Sequence, residues 1–245
     1  MGARTGPETD RPLVACLLPV RNGAEHLDGW LASVVRFADV VVALDDGSTD
    51  DTSARLEASP LVARVLTNPV RPSYRGWDDA ANRSRLLAAA GEVFPRWIMF
   101  LDIDERVPAD DAATLRGFVR DDADPRCAYF FRLFRMVVDE EHYDRGFTLV
   151  GRLFGFRSGL RLPSERLHLL PLPTSIPRRR WKRTTLRIQH LAGLTDEHRR
   201  AQVEKYREAD PDAVYQADYS NLLAPTGHVR EWRPRPLGMP VLIDR

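Results

Sequence analysis

The sequence has few cysteines, few lysines and no long apolar run. Its two cysteines, Cys16 and Cys127, are too few for a disulfide-stapled secreted scaffold or a four-cysteine zinc site. Its longest apolar stretches cover about eight residues, far short of the roughly 20 that a membrane span needs. The first dozen residues are polar and lack the apolar region of a signal peptide. We therefore expect no transmembrane segment and a cytoplasmic location.

The charge balance is close to neutral. The 245 residues contain 36 Lys+Arg and 35 Asp+Glu, a formal net charge of +1, which argues against a general polyanion binder. Only Lys182 and Lys205 are lysines, so the other 34 basic residues are arginines, which pair bidentately with carboxylates and phosphates. A chain of this length can bury a core for one large domain or two small ones.

Predicted strands and helices alternate in the first half of the sequence. Compact apolar runs predict strands, and apolar residues at helical spacing predict the helices between them. The predicted strands are Leu13–Leu18, Val40–Leu44, Val62–Leu66 and Trp97–Leu101, and the predicted helices are Glu25–Phe37, a short one through Leu56, and Trp77–Ala90, ended by Gly91. This alternation predicts an α/β fold with a mostly parallel sheet flanked by helices.

The pattern changes after residue 104. One more helix fits Ala109–Val119, followed by β segments and a last helix, which favours a mixed or antiparallel extension of the sheet. The predicted β segments are Ala128–Val138, Phe147–Phe156 and Thr184–Gln189, and the predicted helix is Thr195–Tyr206. The prolines after residue 224 predict a loosely packed tail.

Polar residues follow three of the predicted strands. They are Pro19-Val20-Arg21-Asn22, Asp45-Asp46-Gly47-Ser48 and Asp102-Ile103-Asp104-Glu105. Ligands of open α/β sheets bind outside the carboxyl ends of the strands, so these three ends predict one crevice. Along an extended chain Asp102 and Asp104 point to the same side, where a hard divalent cation would relieve their repulsion and bridge to a substrate diphosphate.

These residues carry a family resemblance. The segments VACLLPVRNGAEHLDGWL, VVVALDDGSTDDT, GWDDAANRSRLLAAA and WIMFLDIDER resemble family-two glycosyltransferases with the GT-A fold, which use nucleotide-sugar donors. The resemblance covers residues 13 to about 107. It implies that Pro19, Arg21, Asp45 and Asp46 hold the nucleoside, that Asp102 binds the ribose, and that Asp104 binds Mn²⁺ or Mg²⁺ on the diphosphate.

Further site residues are expected in the second half. His190, which follows a predicted strand, looks like the ligand that completes the metal site in GT-A enzymes. An inverting transfer also needs a base that deprotonates the acceptor hydroxyl. Glu165 is the first candidate and His168 the second, with Asp144 third, because 162–168 occupies the place where relatives carry a His-Glu or Glu-Asp pair.

The resemblance also suggests how the chain is divided. We expect a flexible N-terminus at 1–12, a nucleotide-sugar-binding half at 13–107, an acceptor-binding half of the same domain at 108–210, and a C-terminal tail at 211–245. Arg85, on the helix before the Asp-x-Asp strand, is a candidate for the diphosphate. The basic run 178–183 is either a solvated loop, a flap that closes over the nucleotide sugar, or a polyanion-binding segment.

The expected activity is metal-dependent transfer of a sugar from a UDP-, GDP- or dTDP-sugar to an acceptor hydroxyl, with inversion. The acceptor, a saccharide, a lipid-linked substrate or a small natural product, stays open. Nucleotidyl transfer on a similar fold is the alternative, although Pro19–Gly23 is a poor phosphate cradle. A non-catalytic nucleic-acid-binding module is the third hypothesis, and we expect no nucleic-acid partner because acids elsewhere offset the basic run.

Overall fold

The predicted alternation of strands and helices is present in a computed structural model that describes residues 11–144, 146–223 and 227–243. The strands are β1 Val14–Val20, β2 Val40–Asp45, β3 Val62–Thr67, β4 Trp97–Phe100, β5 Glu105–Arg106, β6 Ala128–Arg135, β7 His142–Tyr143, β8 Thr148–Gly155, β9 Trp181–His190 and β10 Arg230–Glu231. The α-helices are α1 Ala24–Val34, α2 Thr52–Ala58, α3 Asp79–Val93, α4 Ala109–Asp121 and α5 Asp196–Ala209.

Eight strands form one mixed sheet in the order β3-β2-β1-β4-β8-β6-β9-β5, and β7 pairs with β10 separately. The pairs β1–β2, β2–β3, β1–β4 and β6–β9 are parallel, whereas β8 runs antiparallel to both β4 and β6, and β5 antiparallel to β9. The predicted fold class is confirmed: a mostly parallel first half continues into a mixed extension.

Helices cover both faces of the sheet, and the central strands β1, β2 and β4 bury residues on both sides. Along β1, Cys16 and Leu18 pack on one face with Trp30 of α1 and Leu115 of α4. Alternate positions of the same strands pack on the other face with Leu86 and Ala90 of α3. This double burial explains why the strands are continuous apolar runs.

Several predicted boundaries were wrong by two or three residues, including the ends of α1 at Val34 instead of Phe37, of β6 at Arg135 instead of Val138 and of α5 at Ala209 instead of Tyr206. Helix α3 does not end at Gly91 but continues to Val93 and ends with Phe94 in the left-handed region, at φ 49°. Strand β9 begins at Trp181, three residues earlier than predicted, so part of the basic run belongs to the sheet. Trp181 packs on Phe130 of β6 with ring centroids 5.3 Å apart, and this contact extends the strand.

The C-terminal segment contacts the domain at several points. Tyr219 and Arg235 are buried, and Thr184 of β9 forms an antiparallel bridge with Leu242. The Arg235 guanidinium donates to Asp111 of α4 at 3.1 Å and to the carbonyl of Thr185 at 3.0 Å. Over the described part of the chain, no helix combines the length and apolar character required to cross a bilayer.

Candidate functional site

One cavity lies at the carboxyl ends of β1, β2, β4 and β9, which all point the same way. It has a volume of about 550 Å³. The strand ends contribute Pro19, Arg21, Asp46, Asp102, Asp104 and His190 to its lining. Other elements add Trp77, Asp79, Arg83, Arg152, Lys205 and Tyr206. The three polar strand ends noted in the sequence therefore face one crevice, together with the end of β9.

The two aspartates of the turn after β2 differ in their contacts: Asp45 fixes the turn, and Asp46 lines the cavity. Asp45 is buried and accepts the backbone N–H of Ser48 at 3.0 Å, which fixes the turn. Asp46 lines the cavity, where its carboxylate accepts from Asn68 Nδ2 at 2.5 Å and pairs with the Arg71 guanidinium. Gly47 has φ +76°, and a Cβ there would lie 2.4 Å from the carbonyl oxygen of Pro69, so only glycine fits.

Arg21 borders the cavity after β1. Its guanidinium donates to the carbonyls of Ser73 at 2.7 Å and Arg71 at 2.5 Å, and lies 4.5 Å from the ring centroid of Tyr74. The backbone N–H of Tyr74 donates to Glu208 of α5 at 2.8 Å. These contacts attach the loop before α3 both to the β1 end and to α5.

The Asp102 carboxylate lies between two arginines. Oδ1 accepts from Arg83 at 2.7 Å, and Oδ2 accepts from Arg152 at 2.9 Å. Arg83 also donates to Asp79, and Arg152 to the buried Glu105. Burial opposes ionisation of Asp102, but the two guanidinium groups outweigh it and hold its pKa far below the usual range. Its side chain is 30% exposed, so its oxygens keep lone pairs for a ligand hydroxyl.

Asp104 and His190 face each other across the floor of the cavity. Asp104 Oδ2 lies 3.3 Å from His190 Nε2, and backbone bonds of β5 with β9 hold the two residues together. Burial disfavours the charged carboxylate, but His190 outweighs it and lowers the pKa of Asp104 to about 2. Burial likewise opposes protonation of His190, but Asp104, Glu105 and Asp102 raise its pKa above the usual value.

This donor pair fits one divalent cation. Two ligand atoms at right angles on an ion, each at about 2.1 Å, lie about 3 Å apart, close to the 3.3 Å between Asp104 and His190. A carboxylate with an imidazole suits Mn²⁺. No cluster of three or more His, Cys, Asp or Glu suited to a metal occurs in the described ranges, so substrate oxygens and water would complete the shell.

Lys205 reaches the cavity from α5. Its ammonium lies 4.5 Å from the ring centroid of Trp77, 5.6 Å from that of Tyr74 and 5.7 Å from that of Tyr206. Burial opposes its charge, but the surrounding tyrosines and acids outweigh this and raise the pKa of Lys205. The site therefore holds a cation inside an aromatic cage, beside Asp102 and Asp104.

His168 also lines the cavity and belongs to a side-chain network. Its Nε2 is 3.1 Å from the hydroxyl of Tyr219, which donates to Asp210 at 2.9 Å. Its ring stacks on those of Tyr206 and Tyr219, with centroids 5.1 and 5.8 Å away. Burial lowers the pKa of His168, although Asp210 and Asp79 act in the other direction. Its neutral form is therefore favoured near pH 7.

Four predicted residues do not line the cavity: Asp45, which fixes the turn after β2, and Glu165, Asp144 and Arg85. Glu165 is exposed outside it, whereas His168, three residues later, lines it. Asp144 forms an ion pair with Arg135 at 2.5 Å, away from the lining. Arg85 is exposed and donates to Asn68, so it reaches Asp46 only through that amide. Of the base candidates, the structure brings only His168 to the cavity.

The basic run cannot be a flap over this cavity. Arg178–Arg180 forms a 3₁₀ turn before β9 and residues 181–183 begin the strand, while His190 ends it. At 3.2–3.4 Å per residue, these two ends of β9 lie roughly 30 Å apart. The flap hypothesis is therefore wrong, because the run is at the amino end of a strand whose carboxyl end carries the site.

Sequence reasoning missed Arg152, Lys205 and the pair Asp210–Tyr219. A usable signal existed for two of them: Arg152 is a charge inside the apolar segment of β8, and Lys205 is one of only two lysines. Asp210 and Tyr219 gave no local signal, because their role depends on a contact with residue 168, far away in the chain.

No protein family model matches the chain. Uncharacterised proteins of Mycobacterium tuberculosis and Mycobacterium bovis are each 27% identical to it over 211 residues, which cover 81% of this chain and 51% of theirs. The chain thus spans about half the length of the curated relatives it matches.

Several solved structures are similar in fold. TarS 1–349 of S. aureus in complex with UDP has 15% identity and a TM-score of 0.48, over 86% of this chain and 69% of that one. The mannosyltransferase PcManGT from Pyrobaculum calidifontis, in complex with GDP-Man and Mn²⁺, has 16% identity and a TM-score of 0.46, over 87% and 68%. Glucosyl-3-phosphoglycerate synthase from Mycobacterium tuberculosis, with Mn²⁺, UDP and glucosyl-3-phosphoglycerate, has 22% identity and a TM-score of 0.33, over 51% and 44%. At such identities and TM-scores the likeness concerns the fold alone.

Proposed function

We propose that the protein transfers a sugar from a nucleoside-diphosphate sugar to an acceptor hydroxyl in the cavity at the carboxyl ends of β1, β2, β4 and β9. One observation carries the proposal: this cavity unites the Asp46 turn, the Asp102-Ile103-Asp104 tripeptide and His190. These are the residues in which the sequence resembles GT-A enzymes. The acceptor class stays open among saccharides, lipid-linked substrates and small natural products.

The donor side of the cavity has groups for each part of a nucleotide sugar. Asp46 and Arg21, at neighbouring strand ends, suit the nucleoside, since a carboxylate can accept an imide N–H or ribose hydroxyls. Asp102 keeps acceptor capacity for a ribose hydroxyl while its arginine partners hold it ionised. Lys205 supplies positive charge for the diphosphate.

Asp104 and His190 would hold Mn²⁺ or Mg²⁺, and their 3.3 Å separation suits that role. When bound, such an ion neutralises negative charge that develops on the leaving diphosphate. His190 must be neutral to act as a ligand, so binding of the metal would release a proton.

His168 is the proposed base on the acceptor side, with inversion at the sugar carbon. It replaces Glu165 as first choice because it lines the cavity and Glu165 does not. A histidine whose pKa is lowered by burial is unprotonated at neutral pH and ready to accept the hydroxyl proton.

Isothermal titration tests the donor site. We expect one of UDP, GDP and dTDP to bind the protein in the presence of Mn²⁺ and to lose most of its affinity in Asp104→Asn. Asp122→Asn, an exposed acid at the end of α4, is the matched control and should bind as the unaltered protein does.

Two results would contradict the proposal. The first is that none of the three diphosphates binds with Mn²⁺ present, or that Asp104→Asn binds them equally well. The second is release of pyrophosphate from a nucleoside triphosphate in the presence of a sugar phosphate, which would identify nucleotidyl transfer instead.

A further inference from the structure

We propose that Tyr219 and Asp210 are positioning residues that hold His168 as the base, through the hydrogen-bond chain His168–Tyr219–Asp210. This inference rests on the proposed function, because it assigns partners to the base of that reaction. Both partners lie outside the predicted strand-end motifs, on the segment that follows α5. The chain of contacts and the packing around the imidazole carry the argument.

The direction of the hydrogen bonds fixes the state of the imidazole. A tyrosine hydroxyl has one proton, and Tyr219 donates it to Asp210 Oδ2 at 2.9 Å. Its oxygen therefore accepts at the other contact, so His168 Nε2, 3.1 Å away, carries the proton. In neutral His168 the unprotonated nitrogen is then Nδ1, and this atom can accept a proton from substrate.

Asp210 is held as an acceptor in this chain. Its carboxylate also accepts three backbone N–H groups, from Val214 at 2.8 Å, Tyr215 at 3.0 Å and Gln216 at 3.1 Å. Burial opposes its ionisation, but these bonds together with that of Tyr219 lower the pKa of Asp210. An ionised Asp210 cannot donate, so the Tyr219 proton is committed to it.

The backbone of His168 is also constrained. It has φ 57°, a left-handed conformation that costs free energy for a residue other than glycine. Leu167 beside it is buried, and Arg166 donates to the carbonyls of Trp77 at 3.1 Å and Ala209 at 2.7 Å. These contacts of the preceding residues hold a strained backbone that directs the imidazole onto the rings of Tyr206 and Tyr219.

The chemical step balances through these groups. Nδ1 of His168 takes the proton of the acceptor hydroxyl while the acceptor oxygen forms a bond to the anomeric carbon of the donor. The bond from that carbon to the diphosphate oxygen breaks, and its electron pair leaves with the nucleoside diphosphate. The imidazolium keeps Nε2–H on the Tyr219 hydroxyl, and Asp210 at the end of the chain stabilises its charge.

Tyr219→Phe is the direct test, since it removes the hydroxyl and keeps the stacked ring. ¹⁵N NMR of the protein without substrate should show neutral His168 protonated on Nε2, and a mixture of tautomers in Tyr219→Phe. With donor and acceptor, kcat should fall about 10-fold or more, a part of the about 10²–10⁴-fold that a general base contributes, while donor affinity stays unchanged. Tyr215→Phe is the control and should alter neither readout, because Tyr215 is exposed and contacts Asp210 through its backbone N–H, which the change keeps.

Asp210→Asn gives a second variant if Tyr219→Phe does not fold. The pH profile of kcat/KM is a second readout of the hydrogen-bond chain. The charged and titratable groups that face His168 are Tyr206, Tyr219, Asp210 and Asp79. At saturating Mn²⁺, which would keep His190 neutral, activity should fall as the pH drops below the pKa of His168. Asp210→Asn should move that limb to lower pH, because it removes a negative charge that favours the imidazolium. An unchanged tautomer and an unchanged profile in both variants would overturn the inference. The tautomer readout needs no substrate, so failure of the proposed function and failure of this chain give different results.

Discussion

Arg83 offers the sharpest test of how the site and the fold depend on each other. Its guanidinium joins Asp79, with Nε at 3.0 and 2.9 Å from the two carboxylate oxygens, to Asp102, with Nη2 at 2.7 Å. The side chains of Arg83 and Asp79 are 7% and 11% exposed. Replacing Arg83 by Met keeps the volume of the stem and removes the charge, which leaves Asp79 without its ion-pair partner.

The expected loss follows from these exposures. Breaking a buried ion pair by removing one partner costs about 3–5 kcal/mol. Asp102 keeps Arg152 at 2.9 Å and is 30% exposed, so we expect the lower end of that range for Arg83→Met. A loss of about 3 kcal/mol in the free energy of unfolding corresponds to a fall of about 6–12 °C in Tm for a chain of this size.

Urea unfolding followed by tryptophan fluorescence measures this loss, because Trp30 and Trp97 are buried in the core. Arg83→Lys should lose about half as much, since a single ammonium keeps the charge but cannot reproduce the two-sided fork. Arg116→Met is the matched control: its pair with Asp39, also at 2.7 Å, is 41% and 30% exposed, and we expect a loss of about 1 kcal/mol or less. A loss for Arg83→Met no larger than that of the control would refute the reasoning.

Two further predictions concern nucleotide binding: the first compares the two lysines, and the second tests the basic run before β9. Lys205→Met should weaken nucleoside diphosphate binding by about 10-fold or more, because a charge-assisted hydrogen bond contributes about 1.5–3 kcal/mol. Lys182→Met, at the amino end of β9, is the control and should leave the dissociation constant unchanged. Equal effects of the two changes in a titration would contradict the role of Lys205. Changing all three residues of Arg178–Arg180 to Gln should likewise leave donor affinity unchanged, and a marked loss in the same assay would restore the flap hypothesis.

The predictable part of the fold is the part governed by local pattern. Apolar runs such as Val14–Val20 are buried on both faces of the sheet, so their composition alone indicated central strands. The short polar segments after them then met at one edge, because parallel strands place their carboxyl ends together. This rule brought Asp46 and Asp102 to one cavity without any knowledge of the second half of the chain.

The unpredicted part depends on strands that return antiparallel and on contacts distant in sequence. Arg152 reaches Glu105 across 47 positions because β8 runs back between β4 and β6. Tyr219 reaches His168 across 51 positions, from a segment after α5 with little periodicity. Glu165 and His168 lie three residues apart in the same loop, and the local sequence gives no sign that His168, whose backbone is left-handed, lines the cavity whereas Glu165 does not.

The scarcity of lysine acquires a physical meaning in this site. The arginines of the cavity are engaged by the protein's own acceptors: Arg83 and Arg152 by carboxylates, and Arg21 by backbone carbonyls. A planar guanidinium with five donors favours such multiple contacts. Lys205 makes no ion pair within 4.0 Å in the part of the chain that the structure describes; ring faces surround its ammonium instead. A compact ammonium held this way keeps its donors for an incoming anion, and for this reason the proposed function assigns the diphosphate to Lys205, the lysine that lines the cavity.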